Sequence, residues 1–216
     1  MDNTLRMKTE RSFGTSTTVE AVTGIGAVVL TILALSNVYP MMLTSIAAIA
    51  AGVAFLIEGI SISAHYLTLL ESVSDEKWES IDFAGGVTTE FIGGLSGIVL
   101  GILSLIGIAA STLLPIAALA MGATLVFSTG ETALFSSMKF SGNEDVRKIT
   151  NQAIKSTAGA QLLVGLGAVT LGIITLSVGS GASLILSTIA ILAIGGIEFS
   201  KGSAISAKMM RLVNKE

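Results

Sequence analysis

The chain has 216 residues, of which 51% are hydrophobic and only 12% charged, with 24 glycines, 2 prolines and a formal net charge of −3. Soluble domains carry about 25% charged residues, and a mean hydropathy of +0.83 makes lipid the natural solvent for most of this sequence. The absence of Cys and the single His, His65, exclude disulfides, thiolate metal sites, iron–sulfur clusters and any multi-histidine metal or haem site within one chain, and the small net charge gives nucleic acid no footing.

In chain order, the N-terminal tail carries Arg6, Lys8 and Arg11. A first apolar span is predicted at 17–36, long enough to cross a bilayer, with Glu20 in its first turns. A short uncharged link around 36–41, containing Pro40, leads to a second span at 42–64, which carries Glu58 before its end and is followed by His65 and Tyr66. The next link, ESVSDEKWESIDF (Glu71–Phe83), has five acids and one Lys, Lys77. Its Trp78 suits an anchor at the membrane surface. Spans three and four are predicted at 89–108 and 113–135, with Glu90 at the start of one and Glu131 near the end of the other. The link NEDVRKITNQAIKS (Asn143–Ser156) reads as a helix, with Asn143 as a candidate N-cap and Glu144 and Asp145 in the first turn. Spans five and six are predicted at 158–177 and 183–205, with Gln161, Glu198 and Lys201 among their polar residues.

All 12 Lys and Arg fall in the termini, in the two long links or near the end of span six, and none falls in the short links. By the positive-inside rule both termini are expected in the cytoplasm, in a prokaryotic inner membrane. The basic tail before span one also permits a cleaved signal peptide, but removing span one would break a repeat.

That repeat is visible in GAVVLTILAL (Gly26–Leu35), SGIVLGILSL (Ser96–Leu105) and GAVTLGIITL (Gly167–Leu176), which align without gaps at offsets of 70 (26 to 96) and 71 (96 to 167). The same offsets superpose Gly24, Gly94 and Gly165, and also Glu20, Glu90 and Gln161. In the second spans IAAIAAG (Ile46–Gly52) matches IAALAMG (Ile116–Gly122) at 70 and IAILAIG (Ile189–Gly195) a further 73 residues on, which predicts a slightly longer short link in unit three. The chain thus reads as one membrane domain over 1–216, with repeat units at 17–70, 88–138 and 157–209. The expected fold is all-α: six transmembrane helices forming three tandem helical hairpins, with pseudo-threefold symmetry about the membrane normal rather than inverted repeats. Gly97 and Gly101 form a GxxxG pair, and Gly52, Gly122 and Gly195 recur at the centre of the second spans. Small residues one turn apart let helix backbones approach closely, so these are expected packing positions.

A glycine-rich first span, a short turn and a second span with a central Gly, three times in about 200 residues, resemble the HdeD-type acid-resistance membrane proteins. The resemblance covers 17–209. It implies a stress-linked, six-span bacterial membrane protein without an established enzymatic reaction, and it carries over no functional residue. The family often has Pro in the hairpin turn. Pro40 fits, Pro115 lies a few residues later in its unit, and unit three has neither.

Charge within a span is costly, by about 2.5–3.5 kcal/mol at the bilayer centre and less toward the edge. Glu20 and Glu90 stand where a helix N-terminus favours a carboxylate. Glu58, Glu131 and Glu198 stand toward the cytoplasmic ends of their spans and should face the bundle interior. Glu198 and Lys201 are spaced for a same-face ion pair. Glu58, Ser128 and Lys201 occupy one position of the repeat, polar each time but variable in charge. The seven residues Glu58, Glu131, Glu198, Lys201, Glu20, Glu90 and Gln161 are therefore either contacts that hold the hairpins together or the lining of a cytoplasmic vestibule for protons, cations or a small solute. At the opposite face only Ser36, Asn37, Ser111, Thr112 and similar turn residues are expected to be polar, which disfavours a conducting path. No phosphate-binding loop, catalytic set, cofactor motif or metal-ligand spacing is present in the sequence. The expectation is a non-enzymatic protein, with no cofactor, that sits in the lipid bilayer and acts by assembly, with itself as a homo-oligomer or with a membrane-protein partner as an accessory subunit; a small channel or transporter is the alternative.

Overall fold

The structure is a computed structural model describing the backbone of residues 19, 21–72, 89–137, 144–178 and 180–213, with side chains at 19, 21–60, 89–129, 158–178 and 182–201. The described elements are helices: α1 (Ala21–Leu35), α2 (Pro40–Ser72), α3 (Thr89–Leu105), α4 (Ala110–Ser137), α5 (Glu144–Ser177) and α6 (Ser180–Val213). Stretches of α2, α4, α5 and α6, namely Pro40–Ile60, Ala110–Thr129, Ala158–Ser177 and Ala182–Lys201, are long and apolar enough to cross a membrane. Over the described residues α1 and α3 are apolar but shorter.

Helices α2, α4 and α6 touch one another and form the centre, α3 lies against both α2 and α4, and α5 lies against both α4 and α6. α1 lies on α6, where a Cβ on Gly24 would fall 2.5 Å from the Phe199 backbone nitrogen. The pairs α2–α3, α4–α5 and α6–α1 share a device. Gly52 on α2 meets Gly94 on α3, Gly122 on α4 meets Gly165 on α5, and Gly195 on α6 meets Gly24 and Ala27 on α1. At the first two crossings an added Cβ would stand 2.6–3.0 Å from the opposing glycine's carbonyl oxygen, so backbone packs on backbone. In lipid, where burial of apolar surface gives helices no reason to associate, such close dispersion contact is a main source of stability.

α3 makes the principle plain. Its buried residues are Glu90, Gly93, Gly94, Gly97, Gly101 and Ser104, so apart from Glu90 none of its fully buried side chains is larger than serine. Its large side chains, Ile92, Leu95, Val99 and Ile102, face outward.

Two turns are built alike. After α1, Val38 N–H donates to Leu33 C=O and Asn37 N–H to Ala34 C=O; after α3, Ile108 N–H donates to Leu103 and Gly107 N–H to Ser104. Each is a Schellman motif, with Asn37 (φ 65°) or Gly107 (φ 87°) in the left-handed conformation that closes a helix. Tyr39 (φ 40°) and Ala109 (φ 39°) then start the next helix, and Pro40 takes the first helical position, where a missing N–H costs nothing.

Several boundaries differ from the sequence reading; α6, for one, runs to Val213, past the predicted end at 205. α2 runs on through His65 and Tyr66 to Ser72. The linking helix predicted at Asn143–Ser156 and span five are one helix, α5, of 34 residues, because Lys155, Ser156 and Thr157 contain no Gly or Pro to end it. The third turn is not longer than the others. Only residues 178 and 179 separate α5 from α6, against 36–39 and 106–109 in the first two turns. The two extra residues of unit three are taken into helix instead: α6 begins three residues before the counterpart of Ala110, and α5 ends one residue after the counterpart of Leu105.

Candidate functional site

The centre is filled along its length. From the end bearing the turns, α2, α4 and α6 contribute Thr44, Leu114 and Ser187, then Ala48, Ala118 and Ile191, then Ala51, Met121 and Ile194, then Phe55, Leu125 and Glu198, all buried. The apolar members belong to one contiguous core. The last register holds Glu58, Ser128 and Lys201, of which Ser128 and Lys201 are buried and Glu58 is partly exposed.

Lys201 is the hub of this polar end. Its ammonium donates to Glu58 Oε2 on α2, lies 2.8 Å from Glu198 Oε1 one turn back on α6, and stands 5.5 Å from the centroid of the Phe55 ring. The spacing of three on a helix places Glu198 and Lys201 on one face; the contact between α2 and α6 brings Glu58 to the same cation. A carboxylate, an ammonium and an aromatic face together lower the cost of charge near hydrocarbon. Glu58 lies 18 residues after Pro40, about 27 Å along the helix, so the cluster sits near one edge of the apolar layer rather than at its middle.

Glu90 on α3 and Gln161 on α5 are also buried. Gln161 lies one turn before Gly165, which packs on Leu125 and Val126 of α4. The Glu131 side chain and all of Glu20 lie outside the described residues, as do Asn143 and the link containing Trp78. The structure thus joins Glu58, Glu198 and Lys201, and it places Glu90 and Gln161 on the inward faces of α3 and α5. Of the packing glycines, Gly52 meets Gly94, Gly97 meets Met121 and Gly52, Gly101 meets Ile49, Gly122 meets Gly165 and Gly195 meets Ala27.

The sequence reading missed a second polar layer. Near the turns, Thr44 Oγ1 of α2 lies 2.8 Å from Thr188 Oγ1 of α6, and Ser45 Oγ lies 2.8 Å from Ser104 Oγ of α3. Expecting polar groups only in the turns at this end was therefore wrong. A signal was available: Thr44–Ser45 and Ser187–Thr188 occupy the same place in units one and three. Hydroxyls hide well in apolar helices because each can bond a carbonyl four residues back, as Thr44 does with Pro40 (2.6 Å) and Thr188 with Leu184 (2.7 Å).

Pro115 explains another cross-link. Having no N–H, it leaves the Ser111 carbonyl without its helical donor. Ser183 of α6 supplies one, donating through Oγ at 3.0 Å, the side-chain repair that lets proline sit in a membrane helix.

No protein-family model, curated protein or solved structure matches the chain.

Proposed function

We propose that this chain is a non-enzymatic, multi-pass membrane protein that acts by assembly, with all six helices crossing the bilayer as three like-oriented hairpins closed in a ring. The observation that carries this reading is the recurrence of one glycine crossing at Gly52–Gly94, Gly122–Gly165 and Gly195–Gly24, each joining the second helix of one unit to the first helix of the next. The two like turns at 36–39 and 106–109, 70 residues apart, support it too. Over the described residues helices α1 and α3 are shorter than the others, but each is apolar, ends in a Schellman turn and packs beside a helix long enough to span. The turns would lie outside and both termini in the cytoplasm of a prokaryotic inner membrane, with all Lys and Arg on the inner side. A stress-linked role rests on the HdeD resemblance alone, and the partner, another copy or a membrane protein, rests on the assembly reading.

Filled registers from Thr44 to Leu125 favour a structural role over conduction along the centre. Transport of protons, cations or a small solute is the second reading. In its favour, the Glu58 side chain keeps 18% of its exposure, so the charged cluster is not fully sealed. Purified protein in liposomes separates the two. The structural reading expects no proton or cation flux above protein-free vesicles and a stable oligomer or copurifying partner in native mass spectrometry. Flux that Glu58→Gln, Glu131→Gln or Glu198→Gln abolishes would establish transport instead.

A further inference from the structure

The three crossings are not equivalent in one respect. Chain links join unit one to unit two and unit two to unit three, while the contact of α6 with α1 and α2 joins the last unit back to the first and has no chain link across it. The repeat also places different residues at the register nearest the polar end: Glu58 in α2, Ser128 in α4 and Lys201 in α6. Of these three, only Glu58 and Lys201 are complementary in charge, and they meet at the unlinked seam. At the other end of the same seam Thr44 meets Thr188.

We propose that the Glu58–Lys201–Glu198 cluster is a closure lock: it holds the third hairpin against the first and fixes which helix closes the ring. The proposal rests on the reading of the fold as a closed ring of three hairpins. A threefold-repetitive glycine surface by itself does not distinguish one neighbour from another, since each second helix offers a small-residue face to any first helix. A buried ionic contact does distinguish them, because leaving one member without its partner is strongly unfavourable near hydrocarbon. Lys201 carries the most weight. Without it two carboxylates face each other, whereas without Glu58 the Glu198–Lys201 pair stays balanced.

The chain contains no Cys, so an introduced pair reports without background. Thr44→Cys with Thr188→Cys spans the closing seam, and Ser45→Cys with Ser104→Cys spans the linked α2–α3 seam; in both, the native hydroxyls are 2.8 Å apart. Each pair is oxidised in native membranes in four backgrounds: otherwise unchanged, Glu58→Lys, Lys201→Glu, and both changes together. The lock predicts near-complete crosslinking at both seams in the unchanged background. It predicts a fall of about fivefold or more at the closing seam alone in each single variant, and recovery in the double exchange, which again sets one cation between two carboxylates. Undiminished crosslinking in the single variants overturns the proposal. So does failure of the double exchange to recover, and so does an equal loss at both seams, which would make the cluster a general folding requirement. A closing seam that does not crosslink even in the unchanged background, while the linked seam does, would overturn the closed ring itself.

Discussion

Helices α3 and α4 are neighbours of similar hydropathy with opposite insides. α4 buries Leu114, Met121 and Leu125 and sits in the central core. α3 buries four glycines, a serine and Glu90, and turns Ile92, Leu95, Val99 and Ile102 outward. In water this would be an inverted helix. In lipid it is not, because outward leucine and isoleucine cost nothing there and close approach is what binds helices. In α3, size rather than hydrophobicity tells the inward face from the outward one.

That difference can be broken most severely at a glycine. In Gly94→Leu the new side chain meets the Gly52 carbonyl oxygen and the Leu56 nitrogen, each 2.6 Å from an ideal Cβ. Backbone cannot move aside as a side chain can, so a loss of about 3 kcal/mol or more is expected, read as a large fall in the denaturant midpoint in mild detergent. Met121→Ala opens the centre instead. About 2 kcal/mol is expected, the low end of the range for soluble cores, because only packing and not transfer from water is lost. The same titration measures it. Ser183→Ala leaves the Ser111 carbonyl without a donor and should cost about 1 kcal/mol. Restoring the backbone donor with Pro115→Ala in the same chain should remove most of that penalty, which a double-mutant cycle would show. The smallest effect belongs to outward positions. Gly26 has nothing within 4 Å of an added Cβ, and Leu163 is 73% exposed. Gly26→Ala and Leu163→Ala should each change stability by no more than about 0.5 kcal/mol; a large loss at either would place protein, rather than lipid, against that face.

The sequence carried the helices, the glycine positions and the i, i+3 spacing of Glu198 and Lys201, because each follows from local period and composition. Other features depended on contacts between units. Glu58 and Lys201 could be aligned as one repeat position, yet alignment does not say that the residues at that position touch. They do so because the second helices converge on a common centre. The hydroxyl layer of Thr44, Ser45, Ser104 and Thr188 was hidden because serine and threonine blend into apolar windows while bonding their own helix. The third turn was misjudged because two added residues (offset 73 against 71) read as a longer loop, whereas helix takes them up and the turn itself shortens.

If α1 and α3 cross the membrane as the other helices do, all three turns lie on one face. Single cysteines at Asn37, Ile108 and Val178, placed in a chain otherwise free of Cys, can be labelled in intact cells with a membrane-impermeant thiol reagent, beside a cysteine at Ser141 in the long link. Labelling is expected at all three turns, and none at the link until the cells are opened. Protection of Asn37→Cys or Ile108→Cys in intact cells, with Val178→Cys labelled, would contradict the six-span arrangement.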